Sequence, residues 1–294
     1  MSVKILSKTK YIFSGHESFQ CRNLWLKKGY DFVKKGKSFN DEDALVTLGV
    51  GKNMVSSIRF WMKAYGILSP DDTLTSFAHK LLANDGWDPY LEDEGTLWLL
   101  HYYLVTKGIA STYSIIFNEF RKEKIEFTKE NFISFINRKT ESENMASISA
   151  KTLDEDFSVF TKMYLRSNLQ SKDKEDSFSG LLTDLDLVKT YTKGKTDYYL
   201  IENTERSEIP VEIILYAILE SKSFDLSVSL QNLELNINSV GAVFAVSRSG
   251  LLNKIENLVE KYNYIIFNDQ AGVKELQFKR KPIPMTILEK YYAS

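Results

Sequence analysis

A single cysteine, Cys21, in 294 residues leaves no disulfide framework and no four-cysteine zinc or cluster site. Long apolar runs are also missing. The longest stretches, Thr96–Val105 and Ile209–Leu219, fall short of the about 18 residues a membrane span needs. The first residues, MSVKILSKTKYIF, contain no apolar core of signal-peptide length. The expectation is a cytoplasmic chain in a reducing setting, with no membrane partner. An excess of either charge is absent too: 38 Lys and Arg stand against 39 Asp and Glu, a net charge of −1. Taken whole, that balance argues against a nucleic-acid partner, which usually selects basic proteins.

Apolar bulk is plentiful. Hydrophobic residues make up 43% and charged residues 26%, with 18 Phe, 16 Tyr and 4 Trp, so folded cores are expected and whole-chain disorder is excluded. At about 150 residues per domain the length suggests two or three. The charge is unevenly spread. Residues 1–70 carry 12 basic and 5 acidic side chains, a net of +7, whereas residues 71–150 net −5 and residues 151–294 net −3. The basic part holds Lys27, Lys28, Lys34, Lys35 and Lys37, then Lys52, Arg59 and Lys63. A solvated face and a phosphate-seeking module are both compatible with that run.

Residues 41–48, DEDALVTL, begin with acidic residues suited to a helix N-terminus, and Gly49-Val50-Gly51 interrupts the pattern. Met54, Val55, Ile58, Trp61, Met62 and Tyr65 then form an apolar helical stripe closed by Gly66. Ile67-Leu68 and the turn Ser69-Pro70-Asp71-Asp72 follow, giving the outline of a helix-turn-helix module with a short wing. Lys52, Asn53, Ser56, Arg59 and Lys63 lie off the apolar stripe and are the expected DNA-binding set. The outline recurs. Ser149–Tyr164 reads as a capped helix, Asn168–Asp176 as a loop, and Leu181–Thr192 with Thr196–Ile201 as a hairpin around Lys193-Gly194-Lys195. Ala242–Val246 reads as a strand, Arg248–Tyr262 as a helix, and Tyr264–Phe267 with Val273–Phe278 as a hairpin around Ala271-Gly272. Asp88–Lys107 reads as a buried helix. The expected fold is mainly α with small β-hairpins, an α+β class, with helix-turn-helix or winged-helix modules in tandem. Its expected divisions are residues 1–72, 73–206 and 207–294.

The segment FSGHESFQCR, residues 13–22, gathers a base, an acid, a thiol and a fixed cation. His16 and Glu17 read either as the cap of a helix or as part of a phosphodiester-handling site. Together with residues 23–32, the segment ALVTLGVGKNMVSSIRFWMKAYGIL, the segment DPYLEDEGTLWLLHYYL and the closing Tyr pair, it resembles an SspB-like bacterial family of unknown-function domains. That resemblance implies a DNA phosphorothioation system, in which sulfur-transfer and ATPase proteins are partners and the SspB-like member nicks one strand of double-stranded DNA. It carries no established catalytic set to this chain.

Phosphodiester hydrolysis needs a positioned nucleophile and stabilised phosphoryl charge, often with Mg²⁺. The expected site is therefore His16 as base or ligand, Glu17 as ligand or orienter and Arg22 as charge clamp, with Mg²⁺ or Mn²⁺ as cofactor and the metal ligands left open. Gly49-x-Gly51-Lys52 lacks the earlier glycine and the following Ser or Thr of a phosphate loop, so no nucleotide cofactor is expected. Asp88, Glu92, Asp93 and Glu94 read as an acidic loop, Glu220-x-Lys222 as an incomplete nuclease signature, and His79 and His101 as structural. Cys21 reads as a buried small residue or a sulfur-relay thiol. A non-catalytic winged-helix regulator or scaffold is the alternative to a nickase.

Overall fold

The computed structural model describes residues 11–166, 179–221, 223–270 and 272–294. Its first helices are α1 (Trp25–Lys34), α2 (Ala44–Leu48), α3 (Lys52–Ala64), α4 (Ser76–Leu82) and α5 (Glu94–Thr106). Next come α6 (Ser111–Ile115), continued by a π-helical turn at Ile116–Phe120 into α7 (Arg121–Glu123), then strand β1 (Glu126–Phe127), α8 (Lys129–Ser142) and α9 (Ala150–Tyr164). Strands β2 (Lys189–Lys193) and β3 (Thr196–Leu200) precede α10 (Val211–Glu220), β4 (Ser227–Ser229), α11 (Leu230–Leu235) and α12 (Val240–Phe244). The chain closes with α13 (Arg248–Lys261), β5 (Ile265–Gln270), β6 (Val273–Phe278) and α14 (Pro284–Tyr291). Two antiparallel three-stranded sheets, ordered β1-β3-β2 and β4-β6-β5, complete an α+β fold.

Helix α5 is apolar on every side, and all its residues from Gly95 to Val105 are buried. Such a helix belongs inside, not on a surface. It packs against α10, buried from Glu212 to Leu219, with the Tyr103 and Tyr216 hydroxyls bonded to each other. Around this pair one hydrophobic cluster extends from Cys21 to Leu288, and a smaller one of Phe32, Ala44, Leu48 and Val55 lies beneath α1 to α3. Each Leu or Phe buried this way contributes about 1.5–3 kcal/mol over its exposed state. The helix starts follow their caps: Asp93 accepts from Thr96 N–H, Ser149 from Thr152 N–H, and Thr128 forms a capping box with Asn131. No helix among the described residues is long and apolar enough to cross a membrane.

The structure corrects several sequence readings. Ala242–Val246 is no strand: Val240–Phe244 is helical, started by Ser239 accepting from Ala242 N–H, and ends in left-handed Ala245. A short apolar run does not separate strand from helix, and here the cap decides. Of Leu181–Thr192 only Lys189 onward is strand, preceded by a 3-10 turn at Thr183–Leu185. The acidic start at Asp41–Asp43 forms the turn that leads into α2, with Asp43 at the N-cap as its place at a helix N-terminus implies. After α3 the expected wing amounts to one antiparallel bridge, Leu68 to Leu74. The loop Asn168–Asp176, Ala271 and Lys222 lie outside the described residues. Glu220 sits at the end of α10, not on a strand.

Candidate functional site

Residues 13–24 lie against the inner side of α3. Ser14, Glu17, Ser18 and Leu24 all have left-handed backbones, with φ of 56, 50, 62 and 68°. That conformation costs a non-glycine residue about 1–2 kcal/mol and persists only where the surroundings hold it. The holding bonds are visible. Trp61 Nε1 and Ser57 Oγ both donate to the Phe19 carbonyl, at 2.9 and 3.4 Å, and Leu181 N–H donates to the Cys21 carbonyl at 2.9 Å. At Gly15 a Cβ would stand 2.5 Å from the Phe60 ring, so a larger residue there would have to displace that ring.

The His16 ring turns inward. It stacks on Trp61 with an 8° interplanar angle and meets Phe60 edge-on. Its Nε2 is 3.3 Å from Oδ1 of Asp156 on α9, and both side chains are 3% exposed. Asp156 also accepts from Ser14 N–H at 2.7 Å and from the Thr112 hydroxyl at 2.9 Å, so its two oxygens serve two donors besides facing His16. The His16 Nδ1 is buried without a hydrogen-bond partner. The carboxylate that orients His16 is therefore Asp156 and not the adjacent Glu17, which is exposed. Arg22 is half-buried, its guanidinium within 6 Å of the Phe19 and Trp25 rings. His16, Glu17 and Arg22 thus share one loop but not one surface. Cys21 is fully buried, and burial pushes its thiol well up, which disfavours the thiolate a sulfur relay needs.

The outer side of α3 differs. Lys52, Asn53 and Ser56 are exposed, and among the described residues their side chains have no partner. Gly51 is the N-cap and supplies no side-chain acceptor, so the first N–H groups of α3 stay open to solvent beside these three. The preceding helix α2 presents Val46, 84% exposed. One turn further along, the picture changes. Arg59 donates to Asp72 through Nε and Nη2, while Lys63 Nζ reaches Asp72 at 2.9 Å and donates to the Pro70 carbonyl. These contacts, Arg59 first, hold the Asp72 carboxyl below its usual range. Of the five expected DNA-binding residues, three are free and two are latched. Much of the basic run is similarly engaged: Lys27 with Asp31 and Asn84, Lys28 with the Leu48 carbonyl, Lys37 with Asp43.

Two residues that sequence reasoning did not single out shape this region. Asp156 had a signal, since it falls on the apolar stripe of Leu153, Phe157 and Phe160, where an unpaired carboxylate is costly. Asp72 had none beyond its place in a turn after a basic helix. The remaining candidates are structural. His101 Nε2 donates to the Val243 carbonyl while its Nδ1 accepts from Tyr164, and burial pulls its pKa down to about 3. His79 meets the Tyr30 hydroxyl. Asp88 accepts from the N–H groups of Glu92 and Asp93, and Tyr291 and Tyr292 clamp the same loop through Asp93 and Thr96. At Gly95 a Cβ would overlap the Tyr291 hydroxyl.

The family described as "Protein of unknown function (DUF4007)" matches residues 13–292. Two solved structures are similar throughout. A magnesium-ion-bound SspB crystal structure has 28% identity and a TM-score of 0.84, covering 96% of this chain and 88% of the other. A second SspB crystal structure has 27% identity and a TM-score of 0.83 over the same shares. No curated protein matches the chain.

Proposed function

The chain belongs to the DUF4007 family and is SspB-like over nearly its whole length, and from that premise we propose that it binds duplex DNA in a bacterial phosphorothioation system and nicks one strand. The observation that carries the DNA reading is the outer side of α3. Lys52, Asn53 and Ser56 stand free at an open helix N-terminus, next to the turn between α2 and α3, a pair we read as a helix-turn-helix. Lysine supplies phosphate attraction, the open N–H groups a phosphate seat, and Asn53 and Ser56 can reach base edges. The β-hairpins are read as wings accompanying it, and the acidic remainder as the surface for sulfur-transfer and ATPase partners.

Mg²⁺ or Mn²⁺ is the expected requirement for cutting, by likeness to the magnesium-bound SspB structure. Among the described residues no three His, Cys, Asp or Glu side chains form a group that could hold a metal, so a resident three-ligand site does not fit. Within this chain His16 sets the loop through Asp156, and Glu17, exposed on that loop, is the group free to meet a phosphodiester or its water. A non-catalytic DNA-binding regulator or scaffold is the second reading, favoured by the burial of His16.

Titrating a labelled duplex against wild type and Lys52→Glu/Ser56→Glu tests the DNA reading. The double variant should bind more weakly with a flatter salt dependence. Equal binding by both proteins, or none by wild type, would overturn it.

A further inference from the structure

Strands β2 and β3 form a hairpin whose β3 lies beside β1 and rests through Tyr199 on Phe127 and Phe157, while β2 is the outer edge of that sheet. All five residues of β2 are exposed, and β1 pairs only with Tyr199 and Leu200 at the far end of β3. An outer strand exposed at all five positions gains little from burial. In the observed register Lys189 faces Leu200, Tyr191 faces Tyr198, and Lys193 faces Thr196, so these pairs share one face. Along β2 that face reads lysine, tyrosine, lysine at about 6.6 Å intervals. Tyr191 and Tyr198 stack with centroids 5.3 Å apart and a 10° interplanar angle, and Tyr191 remains 43% exposed. Lys195 follows at the Gly194 turn. Residues 189–196 contain three lysines, although residues 151–294 as a whole are acidic. The carboxylates beside them are Glu126, which accepts from the Tyr191 hydroxyl at 2.7 Å, and Asp197, which accepts from the Thr192 hydroxyl at 2.7 Å. Among the described residues Lys193 and Lys195 have no ion-pair partner, and Lys189 meets Glu202 at 3.5 Å with both groups about half exposed.

Lysines on an edge strand discourage pairing with another chain. An exposed, pre-stacked tyrosine between them does not serve that purpose. Alternating cations and an open aromatic face are what a single nucleic-acid strand needs, with phosphates held beside an unstacked base.

We propose that the β2–β3 hairpin binds single-stranded DNA, with a base stacking on Tyr191 and the flanking phosphates taken by Lys193 and Lys195. This surface lies outside the α3 contact and is independent of it.

The test uses the full chain, a labelled oligothymidine and a labelled duplex, with wild type, Tyr191→Ala, Tyr191→Phe and Lys193→Ala/Lys195→Ala. Tyr191→Ala should weaken oligothymidine binding about tenfold and Tyr191→Phe should restore it, because the ring and not the hydroxyl is the platform. Duplex binding should be unaffected by Tyr191→Ala. The lysine pair should lower the salt slope for oligothymidine. The proposal is overturned if wild type does not bind the oligonucleotide, if Tyr191→Ala binds it like wild type, or if duplex binding falls equally. Displacement by polyglutamate as effective as by unlabelled oligothymidine would overturn it in favour of an acidic protein surface. Oligothymidine binding through Tyr191 without any duplex binding would leave this inference standing and remove the α3 reading. The altered side chains are at the surface, so circular dichroism should match wild type throughout.

Discussion

His16 and Asp156, 140 positions apart in sequence, face each other across 3.3 Å in the interior, the histidine on a strained loop and the carboxylate on α9. The contact joins the segment backing α3 to the helical body. Asp156→Ala would leave the Ser14 N–H and the Thr112 hydroxyl without their acceptor, would take from His16 the carboxylate it faces, and is expected to destabilise the fold by about 3 kcal/mol. Urea unfolding measures this. A change below about 0.5 kcal/mol, the size of an ordinary surface substitution, would contradict the role assigned to the pair.

His16 and Glu17 should separate in their effects. Both His16→Ala and Glu17→Ala are expected to abolish nicking. Only the first should also lower the melting temperature, because it removes a stacked, buried ring, whereas Glu17 is exposed. Equal melting temperatures, or unchanged nicking in Glu17→Ala, would count against this division.

Asp72 masks two cations of the α3 face. Asp72→Asn should release Arg59 and Lys63, strengthen duplex binding and steepen its salt dependence, which titrations at several salt concentrations will show. The pH effect has a definite sign. With the folded carboxyl held below its usual range by Arg59 and then Lys63, the latch is intact above ordinary carboxylate values and opens only as pH falls through the depressed one. Unchanged affinity in Asp72→Asn would place the contact elsewhere.

His101 predicts a separate pH dependence of stability. Its folded pKa of about 3 lies below the 6.5 of an ordinary histidine, so protonation favours the unfolded chain. Stability from this group is complete above pH 6.5 and declines as pH falls toward 3, by at most about 1.4 kcal/mol per pH unit. Chemical unfolding of wild type and His101→Gln between pH 7 and 4 tests it. The wild-type slope should be the steeper, and parallel slopes would refute the assignment.

The sequence was most legible where the period and the cap agreed. The apolar stripe from Met54 to Tyr65 identifies α3, Ser149 marks the start of α9, and TLWLLHYYLV identifies the buried helix α5. It misled where a short apolar run, Ala242–Val246, has no period to separate strand from helix. The site was legible in composition but not in direction. Segment 13–22 was recognisable as unusual, yet a chemistry-bearing histidine looks the same in sequence whether it faces solvent or Trp61. Its real partner, Asp156, is set by tertiary packing. The free residues of α3 were foreseen from the stripe they avoid, while the latch on Arg59 and Lys63 depends on the turn at Asp72.

Conversion of supercoiled plasmid to open circles by the purified chain, with Mg²⁺, with Mn²⁺ and with chelator, tests the central claim most directly. The expected result is open-circle formation with a divalent cation, suppressed by chelator and lost in Lys52→Glu/Ser56→Glu and in Glu17→Ala. Plasmid that stays supercoiled with either metal, at protein concentrations that saturate DNA binding, would contradict the nickase reading.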